Sequence, residues 1–292
     1  MSASEHSGHL LVDNTPKQKV AEVQRGRSET CRTMKEPVLF RDLGKMAYAE
    51  AWNYQESLLQ ENLQIKGRIR AEEPGSEHLS TSSYLLFVEH PPVYTLGKSG
   101  HAENVLLNAS EMEARGIRFF HTNRGGDITF HGPEQVVGYP ILDLEKFGTD
   151  IGKYLRNLEE MIIRTLADYG IRGERSKGET GVWIQPGMPG KERKIAAIGV
   201  RCSRWITMHG FAFNINTDLS YFDGIIPCGI RNKQVSSLAK ELGRNMDMAD
   251  VKAHLKIHFE EVFNASLISL EPVNQPAPPE AQEPAGRTAL IK

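Results

Sequence analysis

The sequence predicts an α+β fold, a mixed and largely antiparallel β-sheet with helices packed against it. Strand-like runs outnumber helix-like ones, and many of them are neighbours along the chain. The composition agrees: of 292 residues, 39% are hydrophobic and 25% charged, which allows one sizeable core and leaves polar sequence over for tails.

Residues 1–35 are polar and lack apolar periodicity, so they read as a disordered extension. They hold no apolar core of a secretory signal, and Glu5, Asp13, Glu22 and Glu29 argue against a transit peptide. Pro37-Val38-Leu39-Phe40 suits a short strand. A helix is expected over about residues 45–63, where Tyr48, Ala51, Trp52, Gln55, Leu59 and Leu63 recur at three- and four-residue steps. Only Gln55 is polar on that face. Residues 66–82 are polar and charged and read as a loop. Tyr84-Leu85-Leu86-Phe87-Val88 is a continuous apolar run, expected to be a strand buried on both faces. Pro91-Pro92 ends it, and Val93-Tyr94-Thr95-Leu96 resumes as a strand. A second helix is predicted over 149–169, capped by Thr149 or Asp150 and stopped by Gly170. Strands are expected at 181–184, 194–200 and 205–214, the first two joined through a long Pro/Gly connection at 185–193. A last helix covers about 249–263. From residue 271 onward the prolines and polar residues read as a second disordered tail, which leaves 36–270 as one folded domain.

Several function classes are excluded or disfavoured. A formal net charge of -2 gives no global basic field for nucleic acid or an anionic membrane. Mean hydropathy is -0.41, and no apolar run approaches membrane-spanning length. Cys31, Cys202 and Cys228 cannot build a disulfide framework and fit a reducing compartment, so a cytoplasmic location is expected. Gly97-Lys98-Ser99 looks like the end of a phosphate loop, but Pro92 stands where its first glycine belongs. His254 and His258 have metal-ligand spacing on a helix. No third ligand with recognisable spacing accompanies them, so they read as an exposed helix face, and no metal or cofactor is expected.

Three segments carry more chemistry. Arg124-Gly125-Gly126-Asp127-Ile128-Thr129-Phe130-His131-Gly132-Pro133 places polar groups where two glycines permit close backbone approach. It reads equally as a ligand loop or as a Gly-rich hairpin with a structural histidine. In Lys194-Ile195-Ala196-Ala197-Ile198-Gly199 a lysine opens a strand of small apolar residues. The small side chains leave room for an elongated apolar ligand, although a lone strand-edge lysine also discourages aggregation. Pro227-Cys228-Gly229 sets a thiol in a turn, where burial is unusual. Cys202, inside a strand, fits the ordinary buried thiol. If Lys194 and Cys228 meet, the ammonium lowers the thiol pKa from about 8.5 toward neutrality, and the amine can serve as a base.

The ordered set His90-Pro91-Pro92-Val93-Tyr94-Thr95-Leu96-Gly97, the Arg124–Pro133 segment, Gly181-Val182-Trp183, residues 194–199, His209-Gly210-Phe211-Ala212 with Asn214, and Pro227-Cys228-Gly229 resembles the lipoyl(octanoyl) transferase family. That family shares its catalytic domain with biotin and lipoate protein ligases, and the resemblance runs over about residues 37–264. It implies transfer of an octanoyl group from octanoyl-acyl carrier protein to a lysine of lipoyl domains, carried by E2 subunits of 2-oxoacid dehydrogenases and by the glycine cleavage H protein. Cys228 would be the nucleophile and Lys194 its activating partner. Residues 124–131 would wall the acyl site, and Ala197, Ile198, Gly199, Gly210, Phe211 and Ala212 would line the chain, with His209 in support. One departure stands out. Glu134 follows Pro133 where the family pattern leads one to expect glycine, which puts a charge at the site's edge. Two other readings compete: an ATP-dependent lipoate or biotin ligase on the same fold, and a non-catalytic scaffold that binds lipoyl domains.

Overall fold

The computed structural model describes residues 34–227 and 234–270. The N-terminal extension up to residue 33, the tail from residue 271 and Cys228 lie outside the described residues.

In chain order, β1 is Glu36–Lys45, α1 Tyr48–Arg70, β2 Tyr84–Glu89, β3 Val93–Leu96, α2 Ala109–Ala114, β4 Arg118–His121, β5 Ile128–His131 and β6 Gln135–Ile141. There follow α3 Leu144–Phe147, α4 Ile151–Asp168, β7 Glu174–Ser176, β8 Glu179–Ile184, β9 Arg193–Ser203 and β10 Ile206–Asn214. The chain closes with β11 Gln234–Val235, α5 Leu238–Leu242, α6 Met248–Phe263 and β12 Ala265–Ser269. The described residues form one sheet ordered β12-β1-β2-β6-β10-β9-β8-β7, with β11 on β9, and a small sheet ordered β4-β3-β5. Pairing is antiparallel through β2, β6, β10, β9, β8 and β7, and parallel where β1 meets β12 and β2. This is the mixed, largely antiparallel sheet that the sequence predicts.

Strand periodicity sorts the core into two faces. Leu85, Phe87, Phe211 and Phe213 face α4 and α6, in a cluster with Leu158, Ile162, Leu255 and Phe259. Tyr84, Leu86, Val88, Met208 and Ala212 face α1, against Ala51, Trp52 and Leu59. The run 84–88 is buried along its length, as a strand covered on both sides requires. A third cluster, with Tyr94, Ile128 and Phe130, sits under the small sheet.

Helix ends follow their capping residues. Asp150 accepts the Lys153 N–H at 2.9 Å and starts α4; Gly170, at φ 74°, follows its end. Asp247 caps α6 through the Ala249 N–H at 2.8 Å. The loop expected at 66–82 is corrected: α1 continues to Arg70. Lys66, on that last stretch, binds Asp143 at 2.6 Å and Glu145 at 3.1 Å, and Arg68 and Arg70 suit a helix C-terminus. Among the described residues no helix is long and apolar enough to cross a membrane.

Candidate active site

A cavity of about 740 Å³ opens between the central strands and the loop that precedes β5. Its walls bring together most of the residues singled out from sequence: Arg124, Gly125, Gly126, Asp127, Ile128, Thr129 and His131 from that loop and β5, Lys194, Ala197, Ile198 and Gly199 from β9, and His209, Gly210, Phe211 and Ala212 from β10. Phe130 is the exception. It points to the other side of β5, is 1% exposed and stacks on Tyr221 with ring centroids 4.7 Å apart. Alternation along a strand accounts for this, because its neighbours Thr129 and His131 face the cavity. Pro227 also lines the cavity, and Cys228 is the next residue in the chain.

Glycines make the wall possible. A Cβ on Gly97 would lie 2.2 Å from the Gly126 carbonyl oxygen, and one on Gly199 would lie 2.7 Å from that of Gly125. The loop 124–127 is therefore laid directly against β3 and β9. The Gly125 N–H donates to Val200 O at 2.9 Å and the Lys98 N–H to Arg124 O at 2.9 Å. The turn at Gly97-Lys98-Ser99 that imitates a phosphate loop thus serves as backbone partner to the Arg124 loop.

Below the cavity runs a buried hydrogen-bond chain. Arg124 donates to Thr95 O at 2.5 Å and to Thr95 Oγ1 at 3.0 Å. Thr95 Oγ1 lies 3.4 Å from His131 Nε2. His131 Nδ1 meets Gln135 Oε1 at 3.0 Å, Gln135 Nε2 donates to Asn214 Oδ1 at 2.8 Å, and Asn214 Nδ2 donates to Ser236 O at 2.9 Å. The Ser236 N–H then donates to Lys194 O at 2.9 Å, so the chain ends on the backbone of the site lysine. Lys194 pairs in register with Trp183 and Val235, and its Nζ lies 4.6 Å from the Trp183 ring centroid.

Burial keeps the histidines neutral. His90 is pushed down to about 4, with Nδ1–H donated to Met46 O and Nε2 accepting the Tyr139 hydroxyl at 2.8 Å. His131 is held well below its ordinary 6.5 by burial, with His90 and Arg124 adding to the effect. His209 is pushed down to about 3 by burial, then by Arg124 and Arg201. It takes φ 60° inside β10, its N–H donates to Gln55 Oε1 at 3.0 Å, and Nε2 meets Asn123 Oδ1 at 2.7 Å. Gln55, a buried polar residue on the apolar face of α1, accepts the N–H that this left-handed backbone turns toward the helix.

Sequence reasoning missed Tyr48, Gln135 and Tyr139 as cavity walls. Tyr48 stacks on His131 with centroids 6.0 Å apart. Its helical spacing marks it as core, and nothing in the pattern separates the two roles. Glu134 takes φ 59°, which explains the glycine expected there. Its N–H donates to Glu89 at 2.7 Å, and its carbonyl accepts from Asn216 N and Thr217 Oγ1.

Comparison with known proteins decides the family. A model described as the lipoyl protein ligase A/B catalytic domain matches residues 47–260. The chain belongs to that family. An octanoyltransferase of Flavobacterium johnsoniae is 56% identical over 236 residues, covering 80% of this chain and all of the relative. One of Cytophaga hutchinsonii is 49% identical, covering 77% and 92%. Relatives of this identity over their length make the chain an acyltransferase of the lipoyl protein ligase A/B family. The fold matches a bi-partite lipoate protein ligase from Thermoplasma acidophilum at TM-score 0.53 and 17% identity, covering 81% of this chain and 88% of that one. It also matches a lipoate-protein ligase A bound with ATP at TM-score 0.52 and 16% identity, covering 80% and 89%.

Proposed function

We propose that the protein moves an octanoyl group from octanoyl-acyl carrier protein to a lysine of lipoyl domains, in the cytoplasm, through a thioester on Cys228. The observation that supports this most is that one largely apolar cavity is lined by both Lys194 and Pro227, the residue that immediately precedes Cys228. Residues 36–270 form the catalytic domain in this reading.

An ammonium near a thiol favours the thiolate. The Cys228 thiolate attacks the carrier thioester, the carbon–sulfur bond to the carrier breaks, and the carrier thiolate leaves with the proton of the Lys194 ammonium, which becomes a neutral amine. One thioester replaces another, so this step is nearly neutral. The acceptor amine, deprotonated by Lys194, then attacks the octanoyl-cysteine. An amide forms, Cys228 leaves as thiolate, and no nucleotide is consumed. The seven apolar carbons beyond the carbonyl, at about 0.8 kcal/mol each, contribute about 6 kcal/mol when buried against Ala197, Ile198, Phe211 and Ala212.

Intact-mass analysis after addition of octanoyl-acyl carrier protein, without ATP, tests this. One octanoyl adduct is expected on the wild type and none on Cys228→Ala. Lys194→Ala should slow transfer to a lipoyl domain by about 10²- to 10⁴-fold. Strict dependence of transfer on ATP would overturn the reading in favour of a ligase, and full transfer by Cys228→Ala would overturn the nucleophile.

A further inference from the structure

On the outer surface, away from the cavity walls, α4 and α6 bring three ligand-type side chains together. His254 and His258 lie one turn apart on α6, and Asp168 ends α4. His254 Nδ1 and His258 Nε2 each lie 2.6 Å from the same oxygen, Asp168 Oδ2, and the three ligand atoms fall within 4.8 Å of one another. We propose that Asp168, His254 and His258 form a binding site for a divalent transition-metal ion of the zinc class, clasping α6 to the end of α4.

The donor set favours this class. Two imidazoles and one carboxylate suit zinc and its neighbours, whereas calcium and magnesium take oxygen ligands. A tetrahedral shell with bonds of about 2.0–2.1 Å sets its ligand atoms roughly 3.3 Å apart. Each distance from Asp168 Oδ2 to a ring nitrogen therefore has to open by less than about 1 Å, a small change for a side chain that is 30% exposed. His254 and His258 are 34% and 13% exposed, so the site is open to an ion and to a water completing the shell.

The groups behind the rings give a second, independent argument. His258 Nδ1 faces Glu261 Oε2 at 3.4 Å, and His254 Nε2 faces Asp250 Oδ1 at 3.8 Å. Each ring is thus set between two carboxylates, with Asp168 inside and one of its own helix outside. A neutral imidazole carries one N–H and cannot donate to both sides. A cation at the inner nitrogen takes that lone pair and leaves the N–H for the outer carboxylate, the arrangement that orients metal-bound histidines. The surroundings hold the outer groups still. Tyr169 packs edgewise on His254 and donates to Asp250 Oδ2 at 2.7 Å, and Arg164 reaches Glu261 at 3.5 Å. Three carboxylates against one arginine make the local field attractive to a cation.

The test uses the full chain, Zn²⁺ followed by calorimetry, and Co²⁺ followed by its visible spectrum. One Zn²⁺ per chain is expected, together with a rise in melting temperature. His254→Ala/His258→Ala should weaken binding by at least about 100-fold and abolish that rise, and Asp168→Asn should weaken binding at least about tenfold. These positions are at least partly open to solvent, and a cooperative metal-free melt within a few degrees of the wild type checks that the variants fold. The Co²⁺ spectrum should show tetrahedral bands without thiolate charge transfer. No saturable Zn²⁺ binding, binding unchanged in the double variant, or a thiolate band showing cysteine ligation would each overturn the proposal.

Discussion

His131 lines the cavity and His90 packs against it, 6% and 1% exposed, with a glutamine or tyrosine as partner and, among the described residues, no carboxylate bonded to either ring. His254 and His258 lie at the outer surface, partly exposed and bonded to Asp168. The side chain is the same and the neighbours decide its use. Burial without a counter-charge makes the first pair fixed neutral hydrogen-bonding groups beside a reaction cavity. Exposure among carboxylates makes the second pair a place for a positive charge.

The largest test of this contrast is pH. An unfolded histidine takes up its proton near pH 6.5, while folded His90 does so only near 4 and His209 near 3. The unfolded chain therefore binds more protons within that window, and stability falls as pH drops through it. Between pH 7 and 5 the loss is about 2 kcal/mol for each of these two residues, with His131 adding in the same direction. Urea midpoints at the two pH values read it. His90→Gln should remove its share of the slope, and an unchanged slope would break the comparison. Tyr139→Phe comes next: it strands the His90 Nε2 lone pair in a dry site and should cost about 1–3 kcal/mol in urea melts. The smallest effect belongs to the outer pair, where His254→Gln in metal-free buffer should cost less than about 1 kcal/mol.

What could be read from sequence follows the same division between strong local patterns and long-range ones. Helices α4 and α6 and strands β2, β9 and β10 announce themselves by periodicity and by caps such as Asp150. Strand β6 does not, because Gln135, Gly138 and Pro140 disguise a central strand. Two-residue β11 and edge strand β12 depend on partners far away in sequence. At the site, Gly199 and Gly210 were legible because close backbone approach excludes any Cβ, and Gly126 because it takes φ 86°. Tyr48 and Tyr139 were not, since a buried tyrosine looks alike in a core and in a cavity wall. The third ligand-type group beside His254 and His258 was invisible for another reason. Asp168 lies far along the chain on another helix, and only packing brings it near.

The left-handed backbone at Glu134 constrains how this corner can drift as sequences diverge. Its N–H and carbonyl tie three segments together, while the carboxylate makes no contact that the turn needs. Glycine, asparagine and aspartate adopt this conformation at the least cost. Valine or isoleucine cannot, because a branched Cβ is incompatible with that φ. Backbone handedness is thus what this position demands, and side-chain charge is not.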